Sequence, residues 1–308
     1  MKKSLIALAV MAVSGAAFAQ SSVTLYGIAD VVIHKDKNVS AKMTSGGVST
    51  SRWGVKGAED LGGGLKADFN FEQGLDLTTG AIKGTAFSRQ ANVGFSGGFG
   101  AIKLGKTWNA YDDIAGATDP VFDSVLSPLN IAPSYSYVSN PNSGLKYSSP
   151  DMGGFSGAVS TSFKDTSAAN LKVSAFNVAY AAGPVFAALG YQNEKSDIAT
   201  RKLVRVNGSY DLGAAKIMAG YGQAKDEAKD FTVGVDVPLS AALVLSTGFT
   251  QVRPDAGGDK ANSFGLGVNY SLSKRTSVYG GFRKDNKEAA ANYGGVESRF
   301  GVGVKHVF

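Results

Sequence analysis

The stretch LKADFNFE, residues 65–72, alternates strictly between apolar and polar or charged side chains. Because successive side chains of a β-strand point to opposite faces, this stretch predicts a strand with one apolar and one polar face. Residues 231–237 and 264–270 follow the same rule, and residues 23–33 have one face that is more apolar than the other. A soluble sheet would turn its apolar face toward a core, whereas a membrane barrel would turn it toward lipid.

Similar segments recur along the whole chain, separated by turn signals. We predict sixteen strands, at residues 22–33, 51–59, 64–73, 85–96, 100–109, 143–149, 154–164, 171–181, 184–195, 201–211, 214–225, 229–237, 241–253, 261–271, 275–285 and 297–308. Very short connections, such as 60–63 and 97–99, alternate with longer polar ones, such as 35–50 and 75–84. An even number of strands with this alternation is typical of an outer-membrane barrel and has no rationale in a soluble sandwich.

The bilayer adds a condition to this prediction, because its core offers no water to the free N–H and C=O groups of a sheet edge. The sheet must therefore close on itself. Sixteen tilted strands give a diameter of roughly 30 Å, which is too wide for side chains to fill. The predicted fold is an all-β, 16-stranded antiparallel transmembrane barrel with polar side chains around a water-filled lumen.

The amino terminus has the pattern of a cleavable secretory signal peptide. Lys2 and Lys3 precede an apolar run from Leu5 to Val13, and the small residues Ala17 and Ala19 mark a cleavage site. The apolar run is about half the roughly 20 residues that a spanning helix needs. We expect residues 1–19 to be removed and residues 20–308 to form the barrel, exported through the periplasm to the outer membrane of a Gram-negative cell.

Composition excludes several other classes of protein. The chain has no cysteine, so disulfides and thiolate-bound metals are ruled out. Its 40 Gly and 8 Pro suit many short strands, and no later segment approaches the 18 consecutive apolar residues of a spanning helix. The formal net charge is only +6 and no basic cluster is interleaved with aromatic residues, so nucleic acid is not an expected partner.

Catalysis has little support in the sequence. The chain has two histidines, His34 and His306, near the end of the first and of the last predicted strand, and we interpret both as surface residues. No Ser–His or Asp–His set is placed to activate a nucleophile or water. The prediction is a protein that is not an enzyme and has no catalytic residues, no cofactor and no metal site.

Five stretches resemble the general trimeric porins of Gram-negative bacteria, in the branch typical of beta-proteobacteria. They are SVTLYG (22–27), SRWGVKGAEDLGGGL (51–65), RQANVGF (89–95), GLKYSSP (144–150) and VKHVF (304–308). The resemblance implies a homotrimer of sixteen-stranded barrels whose third extracellular loop folds inward to narrow the pore. It also implies that a carboxyl-terminal strand ending on an aromatic residue, here Phe308, is recognised by the outer-membrane barrel assembly machinery.

Residues 109–142, called loop 3 below, form the longest connection and contain four prolines and several apolar residues. A connection of this length is usually functional, and its apolar content argues against disorder. By the family pattern, carboxylates on the loop face basic residues on the wall. The expected constriction residues are Asp112, Asp113, Asp119 and Asp123 on the loop and Arg52, Arg89 and Lys146 on the wall.

Strand alternation places Arg52 and Lys146 on the polar face but gives Arg89 the parity of Val93, which would turn it outward. We follow the family and expect Arg89 in the lumen. This choice requires Gln90 and Asn92 to face a neighbouring subunit.

Further basic residues share the lumenal parity. They are Lys56, Arg205, Arg283, Arg299 and Lys305. Charges of opposite sign across a narrow aqueous gap orient polar solutes and set ion preference. The resulting hypothesis is passive diffusion of small hydrophilic solutes and ions with a mild anion preference.

Three alternatives share much of this pattern. A substrate-specific porin would add a dedicated binding track, a barrel adhesin or receptor would bind a partner through its loops, and a secreted soluble β protein would need no lipid. The charged connections 225–230 and 283–288 are interpreted as solvated loops close to lipopolysaccharide, next to the outer-membrane lipid.

Overall fold

The structure is a computed structural model that describes residues 22–163 and 170–308. The expected signal peptide, residues 1–19, lies outside the described residues. In the two described ranges, no helix has both the length and the apolar composition to cross a membrane.

In the part of the chain that the structure describes, eighteen strand segments form a single antiparallel sheet. Sixteen of them form the wall. The other two, β2 (Lys42–Ser45) and β5 (Ile82–Lys83), lie within connections, where β2 pairs with β1 and β5 pairs with β4. The sheet closes because β1 pairs with β18 through residues 28–36 and with β3 through residues 22–28.

The wall strands have the following bounds: β1 Ser22–Asp36, β3 Arg52–Gly62, β4 Leu65–Leu75, β6 Gln90–Gly97, β7 Gly100–Lys106, β8 Gly144–Ser148, β9 Phe155–Ser162, β10 Lys172–Ala182, β11 Val185–Lys195, β12 Thr200–Asp211, β13 Lys216–Ala224, β14 Ala228–Pro238, β15 Leu243–Pro254, β16 Ala261–Ser271, β17 Thr276–Asp285 and β18 Ser298–Val307. Each overlaps one predicted strand. The prediction of a closed 16-stranded barrel is therefore confirmed.

The largest error in the strand boundaries is at the start of β6. We predicted a strand from residue 85, but β6 begins at Gln90. Phe87 has φ of 50°, and its N–H donates to Gln73 Oε1 at 2.6 Å, which forms a turn where alternation alone suggested extended chain. Strand parity therefore cannot be extrapolated back from β6 to Arg89.

The two faces of the wall differ as the alternation predicted. On β6, Val93 is 56% exposed on the outer face, whereas Gln90 and Asn92 are 8% and 3% exposed on the inner face. The expectation that these two polar residues face outward was wrong. Phe264, Leu266 and Val268 likewise form an exposed apolar row on the outer face of β16.

Within residues 22–163 and 170–308, two short helices and two 3₁₀ turns lie in the connections. The helices are α1 (Asp112–Ala115) and α2 (Lys287–Asn292), and the 3₁₀ turns are Pro128–Ile131 and Pro133–Tyr135. Where loop 3 meets the wall, Tyr111 and Ala115 pack with Ala158, Ala175 and Leu203 in a buried apolar cluster. Burial of these side chains stabilises the loop in its position.

Candidate pore constriction

Loop 3 is attached to the inner face of the wall by polar contacts with several strands. Val121 N–H donates to Ser246 Oγ on β15 at 2.8 Å, and Ser134 N–H donates to Asp230 Oδ2 on β14 at 3.2 Å. Asn207 Nδ2 on β12 donates to the Ile114 carbonyl at 2.5 Å. These bonds satisfy backbone groups that lie far from any strand partner, and they hold the loop in one position.

Pro120 lies on a pair of small residues in the wall. Gly234 and Gly248 are directly opposite each other on β14 and β15. A Cβ on Gly248 would lie 2.3 Å from Pro120 Cγ, and a Cβ on Gly234 would lie 2.6 Å from Pro120 Cβ. Only a wall without side chains at both positions admits the loop at this distance.

The backbone after Pro120 adopts an uncommon conformation. Val121, Phe122 and Asp123 have φ of 61°, 66° and 51°, in the left-handed region that non-glycine residues rarely occupy. Val121 is buried, and its N–H bond to Ser246 contributes to holding this turn. Asp123 lines a concavity together with Arg283 and Arg299 of the wall.

Two of the three predicted wall cations, Arg52 and Arg89, share one carboxylate. This carboxylate belongs to Glu72, which is not among the predicted constriction residues. Arg89 Nε lies 2.7 Å from Glu72 Oε1, and Arg52 Nε lies 3.4 Å from Glu72 Oε2. The Arg89 guanidinium also stacks 4.9 Å from the centre of the Trp108 ring. Glu72 is the last polar residue of the alternating stretch 65–72, so its position on the inner face could have been found from that pattern.

Lys146, the third predicted wall cation, makes an ion pair with loop 3. Its Nζ lies 2.5 Å from Asp113 Oδ1, and Asn177 Nδ2 donates to Asp113 Oδ2 at 3.1 Å. Lys146 is only 9% exposed, so its charge is held close to the loop. Within the described residues, Lys146 and Asp113 are the predicted wall cation and loop carboxylate that are in direct contact.

The other three loop acids bind loop hydroxyls. Tyr137 OH donates to Asp112 Oδ1 at 2.8 Å, Tyr135 OH donates to Asp123 Oδ1 at 2.7 Å, and Ser127 OH donates to Asp119. Across residues 22–163 and 170–308, none of these acids forms an ion pair with a basic side chain. In the described residues, Asp112, Asp119 and Asp123 are therefore held by loop 3 itself, and their place in the constriction stays a prediction.

Burial raises the pKa of all three of these acids, and for Asp123 the hydrogen bond from Tyr135 opposes the rise. Burial raises the pKa of Asp112 to about 6, and the hydrogen bond from Tyr137 opposes part of this rise. Burial, together with the charge of Asp123, raises the pKa of Asp119 well above its ordinary range. Loop 3 therefore carries less negative charge near neutral pH than its four aspartates suggest.

The additional predicted pore-lining cations have different environments. Arg205 is 0% exposed, and its Nη1 lies 2.9 Å from both Asp230 Oδ1 and Ser134 Oγ. It joins the wall to loop 3, so the prediction that Arg205 lines the lumen was wrong. Arg283 is also buried, against Asp285. Arg299 is half-buried, and its Nε and Nη2 donate to the two carboxylate oxygens of Asp36 at 2.6 and 2.9 Å. Lys56 is exposed and Lys305 half-buried on the inner face.

The two histidines differ in their exposure to solvent. His34 is 4% exposed, so its interpretation as a surface residue was wrong, while His306 is exposed. In the described ranges, no group of three His, Asp or Glu side chains could hold a metal ion. Phe308 and Gly27 exchange two backbone hydrogen bonds, of 3.0 and 3.1 Å, which continue the β1–β18 pairing at the end of the chain.

Comparisons with known proteins agree on one family. A family model described as Gram-negative porin matches residues 5–290. The chain is 33% identical to outer membrane porin protein 32 of Delftia acidovorans and 29% identical to the major outer membrane protein P.IB of Neisseria lactamica, each over all of both chains. Among solved structures, an anion-selective porin from Comamonas acidovorans has a TM-score of 0.81 at 27% identity, covering 94% of this chain and 100% of that one.

Proposed function

Because the chain belongs to the Gram-negative porin family and is an outer-membrane channel for passive diffusion, we propose that it admits small hydrophilic solutes and ions with a mild preference for anions. The solutes move through the barrel along their concentration gradients. The family consists of channels, so no enzymatic step is part of this function.

The cluster of Arg52, Arg89 and Glu72 is the observation that carries the anion preference. Two guanidinium groups share one carboxylate, which leaves one unit of positive charge on the inner face. A guanidinium keeps its proton at any physiological pH, so this excess is permanent. The porin from Comamonas acidovorans, which is described as anion-selective, has a similar fold and supports the same direction.

Loop 3, residues 109–142, is proposed to be the element that narrows the channel. Its contacts with Asn207, Asp230 and Ser246 place it against inner-face side chains of three strands. A solute would pass between the Arg52–Arg89–Glu72 cluster and the exposed carboxylates Asp113 and Asp123. Such opposed charges would favour polar solutes, which can align with the field, over apolar ones.

The proposed assembly is a homotrimer in the outer-membrane lipid, with lipopolysaccharide around the longer connections. A bilayer solvates the exposed apolar rows on the outer face, for example Phe264, Leu266 and Val268. Phe308 at the end of the closing strand is the proposed signal for the barrel assembly machinery. The amino-terminal residues 1–19 are proposed to be removed on export, which mass spectrometry of the purified protein tests.

The experiment that tests the function is a reversal-potential measurement in planar bilayers under a KCl gradient. We expect discrete channel openings and a reversal potential of the sign that chloride permeation produces. A reversal potential of the cation sign would overturn the anion preference, and a folded trimer that passes no current would overturn the open channel.

A further inference from the structure

We propose that Lys56 and Lys103 form a binding site for small oxyanions, such as phosphate or a short carboxylate, on the inner wall beside the constriction. This inference rests on the proposed function, because the anion must reach the site through the lumen. Neither lysine contacts loop 3 through a hydrogen bond or an ion pair in the described part of the chain.

Lys103 lies in a row of inner-face positions that crosses four strands. It is directly opposite Lys146 on β8 and Gly94 on β6, and Gly94 is in turn opposite Asp68 on β4. Two lysines at directly opposed positions repel each other. Lys146 is neutralised by Asp113 at 2.5 Å, whereas Lys103 forms no ion pair within residues 22–163 and 170–308.

Gly94 determines the direction of the Lys103 side chain. A Cβ on Gly94 would lie 3.2 Å from Lys103 Cγ, so the lysine stem lies over this glycine. The side chain thus leans from β7 toward β4 and away from Lys146. An alanine at position 94 would also contact the Ile102 carbonyl at 2.3 Å, so the position requires glycine.

Lys56 lies on β3, next to β4, the strand toward which the Lys103 side chain leans. On β3 it is directly opposite Asn70 of β4 and Thr24 of β1, and its ammonium lies 5.1 Å from the centre of the Tyr26 ring. The ring attracts the ammonium without neutralising its charge. Lys56 is exposed and, like Lys103, has no acidic partner within 4 Å in the described chain.

The two lysines line one concavity of about 250 Å³ together with polar groups. Ser22, Thr24 and Asn70 contribute hydroxyl and amide groups that can donate hydrogen bonds, and Asp68 is the one carboxylate among the described residues of the lining. Two ammonium groups against one carboxylate leave a net positive charge. Lysine ammonium groups with neutral donors suit the oxygens of a small anion, while the residual carboxylate keeps binding weak enough for release.

The two lysines differ from the five predicted pore-lining arginines in whether an acidic side chain pairs with them. Arg52 and Arg89 share Glu72, and Arg205, Arg283 and Arg299 each pair with an aspartate. Lys56 and Lys103 keep their full charge for a passing ion.

The test is block of the KCl current by inorganic phosphate, measured on single channels of the full-length protein in planar bilayers. K56Q and K103Q should each weaken the block about five-fold, the effect of one unit charge about 4 Å away in water. D68N should strengthen it by a similar factor. This opposite sign cannot arise from misfolding, so D68N tests the site even if a lysine variant fails to insert.

K216Q is the matched control. Lys216 is an inner-face lysine on β13 that does not line the concavity, so its replacement should leave the phosphate block unchanged. If wild-type channels conduct and prefer anions, but the block is absent or is unchanged in K56Q, K103Q and D68N, the site is wrong and the proposed function stands. Channels with no current, or with cation preference, would instead overturn the proposed function.

Discussion

Individual charged residues divide into those that hold the structure and those that remain available to solutes. Arg205 and Asp230 are both completely or almost completely buried and join loop 3 to the wall. Removing one partner of a buried pair leaves an uncompensated charge at a cost of about 3 to 5 kcal/mol. The Arg52–Arg89–Glu72 cluster is different, because two cations share one acid beside the lumen. Net charge at the pore therefore depends on Glu72 as much as on the arginines.

Replacing Glu72 with glutamine should increase anion preference, because Arg52 and Arg89 then keep both charges. We expect the permeability ratio of chloride to potassium to rise by up to about five-fold, as one unit charge about 4 Å away implies. Reversal potentials under a KCl gradient measure this change. E297Q is the control, since Glu297 pairs with Lys37 in an exposed position. Equal ratios in E72Q and wild type would contradict a role for this cluster in selectivity.

Anion preference should also depend on pH through Asp112, whose pKa is raised to about 6 by burial. As pH falls from about 7.5 to about 5, this carboxylate gains a proton and the loop loses negative charge, so anion preference rises. D112N should remove this step from the reversal-potential titration. A titration that is the same in D112N and wild type would assign the step to another group.

The raised pKa of Asp112 also makes the stability of the folded protein depend on pH. The folded-state pKa of Asp112 lies above its ordinary value of 3.8, so the folded protein binds the proton more tightly than the unfolded chain. Between about pH 4 and about pH 6 the native state therefore holds more protons, and the stability contributed by Asp112 falls as pH rises through this window. D112N should flatten this part of the pH dependence of thermal unfolding.

At the scale of elements, loop 3 and strands β14 and β15 fit each other through small residues. Pro120 occupies the space above Gly234 and Gly248, and the left-handed residues Val121 and Phe122 after it lie against Gly267 of β16. Neither relation is visible in loop 3 alone, because the glycines are more than a hundred residues further along the chain. The loop is positioned by the wall and has no regular structure of its own beyond short helical turns.

Substitution of Gly248 by alanine should displace loop 3 toward the lumen, because the new Cβ would lie 2.3 Å from Pro120 Cγ. We expect lower single-channel conductance and a loss of about 1 to 3 kcal/mol in stability from overpacking. G208A is the control, since a Cβ on Gly208 meets only the Phe186 carbonyl at an ordinary 3.6 Å. Wild-type conductance in G248A would show that loop 3 does not limit the current.

The whole molecule is a closed sheet whose last strand returns to its first. Phe308 contributes to the closure through two backbone bonds to Gly27, and its ring lies over that glycine. A barrel in lipid cannot leave these groups unpaired. The backbone of Phe308 therefore takes part in closing the barrel.

Replacing Phe308 with alanine should reduce the amount of assembled barrel in the outer membrane and leave the conductance of the channels that do form unchanged. Heat-modifiable migration in gels measures the assembled fraction. F300A removes another exposed aromatic side chain from the same strand and should assemble normally. Equal loss of assembly in both variants would indicate a general effect of outer-face aromatics.

The amino-acid sequence by itself determined the barrel, because alternation of side chains and the length of connections are local properties. Each predicted strand overlaps an observed one, and Arg52, Lys56 and Lys146 lie on the inner face as their parity required. Local pattern failed at Arg89, where a turn interrupts the alternation. Only the tertiary structure decided which charges are paired, since an ion pair depends on distances between strands and loops that are remote in sequence. Glu72 between two arginines, Asp113 at Lys146 and the unpaired Lys103 all follow from the register of the closed sheet.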